Sequence, residues 1–222
     1  MMLLKTRVTL HDSIARFPRA THFSQGGGVV SPATEYSFQG SEAVKPELIV
    51  VQPVVEAERF LLRPVRRSDS GLIELFTSDR RLAEATKTVP HPLPPGATDA
   101  FIARALSDKR DEDVWIMDGS AGGLGEVLGV VGLTRIGKDQ SEISYWVAPA
   151  FWNTGLASEA VAAIVGANPH RARTLFAEVF QDNPGSARVL TNCGFDYLGD
   201  AESWSVARGA MVPTWTYTRK MA

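Results

Sequence analysis

The sequence predicts an α+β domain, a mixed sheet with helices packed on it, and three observations carry that reading. Segments with the period-2 pattern of strands and segments with helical spacing follow one another from about residue 50 to residue 220. Val127–Leu133 is apolar on both faces, as a strand in the middle of a sheet must be. Ser141–Ala167 reads as strand, short loop and helix. Glu142, Ser144 and Trp146 alternate with Ile143, Tyr145 and Val147, and Pro149 ends the strand because it has no N–H for a ladder. Beyond Gly155, Leu156, Ala160, Ile164 and Ala167 recur at the spacing of one buried helical stripe.

In chain order, residues 1–50 carry Gly26-Gly27-Gly28, Ser31-Pro32 and Gly40-Ser41 and hold no long element, so an irregular N-terminal arm is expected there. As an extension it would pack on the domain or on a second subunit of a homodimer. The domain proper, residues 51–222, is expected to open with an extended stretch over Glu47–Val55, followed by a strand over Arg59–Pro64. Asp69 is placed to cap a helix to about Thr77, and a short helix is expected over Arg80–Thr86. Val89–Gly96, with prolines at 90, 92, 94 and 95, must be a stiff loop. Thr98 is expected to cap the next helix, with Phe101, Ile102, Ala105 and Leu106 as its stripe. Val114–Met117 and Glu126–Arg135 read as strands joined by the glycine-rich loop DGSAGGLG. The remainder reads as a strand at Thr174–Phe180, a helix at Pro184–Cys193 ended by Gly194, and strands at Phe195–Trp204 and Thr214–Lys220.

Composition narrows the function. Hydrophobic content of 44% and charged content of 22% are those of a soluble globular protein. A net charge of −2 argues against nucleic acid or an anionic membrane as a bulk electrostatic partner. The one cysteine, Cys193, forms no intrachain disulfide and fits a reducing cytoplasm. No apolar run approaches the roughly 20 residues a membrane span needs. The opening MMLLKTRV lacks an apolar signal core, and Asp12 argues against a transit peptide.

Asn153, Thr154 and Gly155 precede a helix whose free N–H groups and positive dipole end make an anion site, the ordinary alternative being a plain strand–loop–helix. Longer motifs favour the ligand site. Arg59-Phe60-Leu61-Leu62-Arg63-Pro64 with Asp69 is similar to an R-L-x-L-R-p-x-x-x-x-D opening. Glu142-Ile143-Ser144-Tyr145-Trp146-Val147 is similar to an E-I-G-Y-W-V strand. Trp152–Ala160 resembles W-G-x-G-x-A-T-E-A, and Asn183–Phe195 carries N-x-x-S-x-x-V-L-x-x-x-G-F. In this order the motifs resemble the GNAT N-acetyltransferase superfamily, in particular its RimJ/RimL-like branch that acetylates ribosomal-protein N-termini. The resemblance covers about residues 53–222. It implies a central, mostly antiparallel, twisted sheet of about seven strands flanked by helices and split at the cofactor site.

The same resemblance implies acetyl-CoA as co-substrate, no metal, and direct transfer of acetyl to a primary amine in a ternary complex. The acceptor would be a peptide or protein N-terminus. The competing readings are a small-molecule amine or antibiotic acetyltransferase, and a non-catalytic acyl-CoA-binding module. Trp146, Val147, Asn153, Thr154, Gly155, Leu156, Ala157, Ser158 and Asn183 are the expected cofactor contacts. The departures are Asn153 where the loop usually has glycine, Thr154 where a cation or glutamine is usual, and Ser144 in place of a strand glycine. Asn tolerates unusual backbone angles, but the missing cation should weaken cofactor affinity.

Acetyl transfer from a thioester to an amine needs a neutral amine, a polarised carbonyl and a proton for the departing thiolate. Glu142 is the base candidate, against an ordinary solvated carboxylate. Ser186 is the acid candidate, because the tyrosine many superfamily members use falls on Leu190 here. Its ordinary alternative, like that of Asn183, is a residue satisfying a helix start. His91 and Tyr145 are candidates for the acceptor pocket. Cys193 reads as a packed side chain rather than a nucleophile, since nothing near it in sequence would lower its pKa.

Overall fold

A computed structural model describes residues 52–221, and the arm expected over residues 1–50 lies outside them. The described chain runs β1 (Val55–Glu56), β2 (Leu61–Pro64), α1 (Ser70–Thr77), α2 (Arg80–Glu84), α3 (Ala97–Ala105), β3 (Glu112–Asp118), β4 (Gly129–Gly137) and β5 (Gln140–Val147). It continues α4 (Leu156–Ala167), β6 (Thr174–Phe180), α5 (Pro184–Asn192), β7 (Asp196–Ser205) and β8 (Ala210–Lys220). All eight strands form one sheet in the order β1-β2-β3-β4-β5-β6-β8-β7. The strand beyond the expected seven is β1, which pairs two residues with β2.

Every neighbouring pair is antiparallel except β5–β6. That parallel pair is joined at only three positions, Gln140↔Thr174, Ser141↔Leu175 and Glu142↔Phe176. Beyond Glu142 the strands part. β5 stays with β4 as far as Val147, while β6 stays with β8 as far as Phe180. The sheet is therefore split, and Glu142 stands at the apex of the split.

Each face of the sheet buries its own core. On one side Ile143, Val147, Leu175 and Ala177 pack with Leu156, Ala160, Val161 and Ile164 of α4 and with Ala187 and Leu190 of α5. On the other, Val114, Ile116 and Val130 pack with Ile73 of α1 and Ile102 of α3, and Trp146 leans on this second core. Fully burying one such aliphatic side chain is worth about 1.5–3 kcal/mol. Gly129 lets β4 meet the end of β5: a Cβ there would press on the Trp146 carbonyl oxygen and come within 2.9 Å of the Val147 Cα.

Three local expectations are corrected. Asp69 is not a side-chain cap of α1; its carboxylate takes both Nη groups of the buried Arg63 (2.9 and 2.8 Å) and the Arg66 N–H (2.7 Å). Thr98 does not cap α3, which starts one residue earlier behind the left-handed Gly96. The second helix ends at Glu84, and Asp79 caps it by accepting from Arg81 N at 2.9 Å.

The turn between α4 and β6 is tied down by buried polar groups. His170 reaches Ser141 Oγ with Nδ1 (2.9 Å) and Asp113 with Nε2 (2.9 Å), and Asp113 also takes Arg110 (2.6 Å) and Arg135 (3.0 Å). Burial pushes the Asp113 carboxyl up, but hydrogen bonds from His170, Arg110 and Arg135 outweigh that and hold it well below its ordinary value. Ser141, His170 and Asp113 are buried away from the opening of the split, so the trio holds the turn rather than a substrate.

Candidate active site

The split opens into a cavity of about 700 Å³ walled by α1, α3, the loop after α2, β5, β6 and the start of α5. On the α1/α3 side its charged lining is Glu112, Glu142 and Glu178 against Lys87 and Arg104. Glu142 of β5 and Glu178 of β6 share a face because paired residues of a parallel ladder keep the same alternation, and Glu142 is opposite Phe176, two residues before Glu178. Between them sits the Lys87 ammonium, donating to Glu142 Oε1 at 2.7 Å and to Glu178 Oε2 at 2.8 Å. Ser203 and Thr214 hydroxyls, each at 2.6 Å, complete the shell of Glu178.

These contacts set the protonation states apart. Burial pushes Glu178 up, but the Lys87, Ser203 and Thr214 hydrogen bonds prevail and lower it. Burial pushes Lys87 down, but Glu142 and then Glu178 prevail and raise it, so it is an ammonium. Glu112 is raised, chiefly by burial, against a weak hydrogen bond from Ser144 (3.4 Å) and the charge of Arg104. Its carboxylate lies over Gly132, where a Cβ would collide with it.

The other side of the split is made of backbone. Asn153 (φ 60°) and Gly155 (φ 85°) both adopt left-handed conformations, which Asn and Gly accept best. No side chain caps α4, and its first intrahelical bond runs from Glu159 N to Gly155 O (3.1 Å), leaving the N–H groups of Leu156, Ala157 and Ser158 outside the helical ladder. A cation also lies at the loop. Arg59 donates from Nη1 to the Thr154 carbonyl (3.0 Å) and from Nε to Glu159 (2.6 Å), and its N–H also meets Glu159 (2.6 Å). Thr154 itself donates to the Phe151 carbonyl at 2.6 Å. Ala148 N–H is given to Leu128 O in line with β4 (2.9 Å); successive strand N–H groups alternate between edges, so the Val147 N–H faces the split.

Where α5 begins, Asn183 Oδ1 accepts from Ser186 N (3.2 Å), a helix cap whose residue also lines the cavity. Ser186 Oγ donates to the Tyr145 hydroxyl (2.9 Å), and that hydroxyl donates to the Ser186 carbonyl (3.0 Å). Burial raises the Tyr145 pKa, so it is a neutral phenol.

Glu142, Tyr145, Trp146, Asn183 and Ser186 thus surround one cavity, while Val147, at the end of β5, and Asn153–Ser158, at the start of α4, lie outside its wall. Several expected contacts need revision. His91 does not line the cavity: the proline-rich loop turns Pro90 and Leu93 into the wall and leaves His91 Nδ1 buried without a partner. Tyr145 points to the α4/α5 side, opposite Glu142, because strand residues alternate, so its hydroxyl meets Ser186. The Trp146 side chain leans on the α1/α3 core and is half-buried at the cavity wall, whereas the Leu156 side chain is buried, which leaves only the Leu156 backbone free for a ligand. Cys193 is buried, donates to the Ser158 carbonyl (3.3 Å), and has a pKa raised by that burial.

Lys87, Glu112, Glu178 and Arg59 were missed. Only Arg59 carried a signal, as the first residue of the R-L-x-L-R motif.

A profile described as the acetyltransferase (GNAT) domain matches residues 59–196, more than half of the chain. The chain belongs to the GNAT acetyltransferase family. A curated GNAT relative is the uncharacterised N-acetyltransferase YoaA of Bacillus subtilis, 29% identical over 97 residues; the match takes in 42% of this chain and 55% of YoaA. Among solved structures, RimL, a ribosomal L7/L12 α-N-protein acetyltransferase in complex with coenzyme A, superposes with a TM-score of 0.66 at 16% identity, covering 76% of this chain and 98% of RimL. Spermidine N-acetyltransferase from Vibrio cholerae, in complex with CoA and spermine, superposes with a TM-score of 0.63 at 15% identity, covering 73% and 96%. Both likenesses are of fold. None of the described helices is long and apolar enough to cross a membrane.

Proposed function

We propose that this GNAT protein is a cytoplasmic, acetyl-CoA-dependent N-acetyltransferase that moves acetyl to a primary amine by direct transfer in a ternary complex. Residues 51–222 would form the catalytic domain and residues 1–50 an appended arm. The observation that carries the reading is the split itself, with a carboxylate at its apex on one side and a free helix start on the other.

The residues present fit the co-substrate. The N–H groups of Gly155–Ser158 and the dipole of α4 suit the pyrophosphate, with Arg59 supplying the charge that Thr154 lacks. Asn183, which caps α5 and lines the cavity, would contact the same ligand. When bound, the co-substrate supplies an activated acetyl group. The Val147 N–H would polarise the carbonyl. Glu142 takes a proton from the acceptor amine, and the Ser186 hydroxyl, backed by Tyr145, gives one to the sulfur.

Three acidic side chains against two basic ones in the cavity favour an acceptor that arrives as an ammonium, which suits both a peptide N-terminus and a small polyamine. The test is thiol release from acetyl-CoA against a panel of peptides and small amines, beside calorimetry with CoA. Turnover with at least one amine is expected; absence of CoA binding overturns the reading.

A further inference from the structure

Lys87 is a primary amine already seated in this site. It follows α2 in the loop that roofs the cavity, and its backbone is held from outside. The Lys87 carbonyl accepts from Val206 N (3.0 Å), and Arg208 Nε donates to the nearby Glu84 carbonyl (2.8 Å). With the backbone fixed, the side chain is directed into the cavity, where Nζ bridges Glu142 and Glu178 across the two strands that part just beyond Glu142. The position places an amine beside the group proposed to take its proton, although the two carboxylates hold it as an ammonium until that transfer. It is on the α1/α3 side of the split, opposite Ser186 and the start of α4, and it touches the proposed base directly. The ammonium is half-buried, unlike the exposed Lys109, Lys138 and Lys220.

We propose that Lys87 is a site of self-acetylation, the enzyme using its own lysine as an acceptor. This rests on the acetyltransferase reading of the same site. In the step, one Nζ proton passes to Glu142 through the existing hydrogen bond and the Nζ lone pair forms a C–N bond to the acetyl carbon. As the C–S bond of acetyl-CoA breaks, the acylated nitrogen gives up its second proton and the departing sulfur takes one through the Ser186 hydroxyl, so CoA leaves as the free thiol and the proton held by Glu142 passes to solvent. The product is N-acetyl-Lys87 and CoA, with no redox change and no further reactant. The acetylated side chain carries no charge, so Glu142 and Glu178 lose their shared cation and the cavity becomes more acidic. A cationic acceptor would then meet a more attractive site.

The experiment incubates the full chain with acetyl-CoA and follows each lysine by peptide mass spectrometry over time, beside calorimetry with CoA and thiol release with supplied amines. Acetyl-Lys87 is expected to appear faster than acetylation of Lys109, Lys138 and Lys220 by on the order of tenfold or more, the advantage of a positioned amine over surface chemistry. Glu142→Gln should abolish that preference while leaving the slow surface labelling. Lys87→Arg, which keeps a cation between the two carboxylates, should remove the fast event. Lys87 modified no faster than the surface lysines, in a protein that binds CoA and turns over a supplied amine, overturns self-acetylation and leaves the acetyltransferase reading standing. A protein that binds no CoA overturns both. A preference for Lys87 that survives Glu142→Gln also overturns the proposal, because the lysine would then be reactive on its own.

Discussion

On the α4 side of the split the groups free of the helical ladder are N–H groups at Leu156–Ser158, set by the left-handed Asn153 and Gly155. On the α1/α3 side they are the side chains of Lys87, Glu112, Glu142 and Glu178, brought from a loop and three strands. A site made of backbone is written in consecutive residues: any chain that makes this turn before a helix presents the same donors. A site made of side chains converges over long separations, Lys87 and Glu178 being 91 positions apart. The first kind serves a ligand common to many enzymes, and the second can change with every acceptor. Loss of single side chains should therefore hurt far more on the acidic side than at the loop, and the variants below test that contrast in order of expected effect.

Glu142→Gln should be the most damaging. A general base typically contributes about 10²- to 10⁴-fold, so kcat/KM should fall by that order at neutral pH with CoA affinity kept. The loss should shrink as pH rises, since the amine then arrives deprotonated. The Lys87 bridge does not confuse this profile. Lys87 is held above its ordinary 10.5, so its stabilisation is complete below that value and lost only as pH rises through the raised one. Glu178 is held below its ordinary 4.5, so its stabilisation is present above that value and lost as pH falls through the lowered one. The bridge is intact across the neutral range. Parent-like turnover of Glu142→Gln at every pH would mean that positioning alone drives transfer.

Ser186→Ala comes next. With the hydroxyl gone and Tyr145 left without its donor, kcat should drop by about 10²-fold, at the low end for an acid, with little change in the pH profile of the base. Tyr145→Phe removes the hydroxyl that accepts from Ser186 Oγ and donates to the Ser186 carbonyl but keeps the Ser186 hydroxyl itself, and should cost less. A Ser186→Ala protein that loses CoA affinity instead of kcat would make Ser186 a contact of the helix start.

How much of this was legible follows the same division. The order of elements and the loop before α4 were readable because each is local: alternation in 142–147, Pro149, and an apolar stripe after Gly155; the split came only with the family resemblance, since it depends on where β5 and β6 part. Asp69 and Thr98 look like helix caps in a one-dimensional pattern, and they failed for different reasons, one tertiary and one local. Arg63 claimed Asp69, and Gly96 opened α3 a residue early. Lys87 follows a short helix and precedes a proline-rich loop; nothing local marks a lysine whose partners lie 55 and 91 residues away. Cys193 was read correctly as a packed residue, since its partner Ser158 lies on the helix that α5 packs against.

Arg59→Ala probes the one side chain on which the loop depends. It deletes the guanidinium at Thr154 and leaves the Glu159 carboxylate uncompensated in the first turn of α4, where a pyrophosphate would sit. A half-exposed contact of this kind is worth about 1 kcal/mol, so CoA should bind several-fold more weakly, and less so at high salt. Glu159→Gln in the same background should recover part of the loss. No change in CoA affinity on Arg59→Ala would leave the loop a purely backbone site.

Thr154→Arg should do least. By the loop motif alone, a cation restored at 154 would tighten CoA by about 1 kcal/mol or more. The structure removes most of that expectation, because Arg59 already sits against the Thr154 carbonyl. A second guanidinium would repel the first and displace the Thr154 hydroxyl from the Phe151 carbonyl, a 2.6 Å hydrogen bond whose loss offsets any gain by about 0.5–1.5 kcal/mol. Calorimetry should find CoA affinity within about threefold of the parent. Tightening of tenfold would show that Arg59 is spent on Glu159 and that the loop lacks a cation after all. Marked weakening would show that the turn itself, held by Thr154, matters more than the charge beside it.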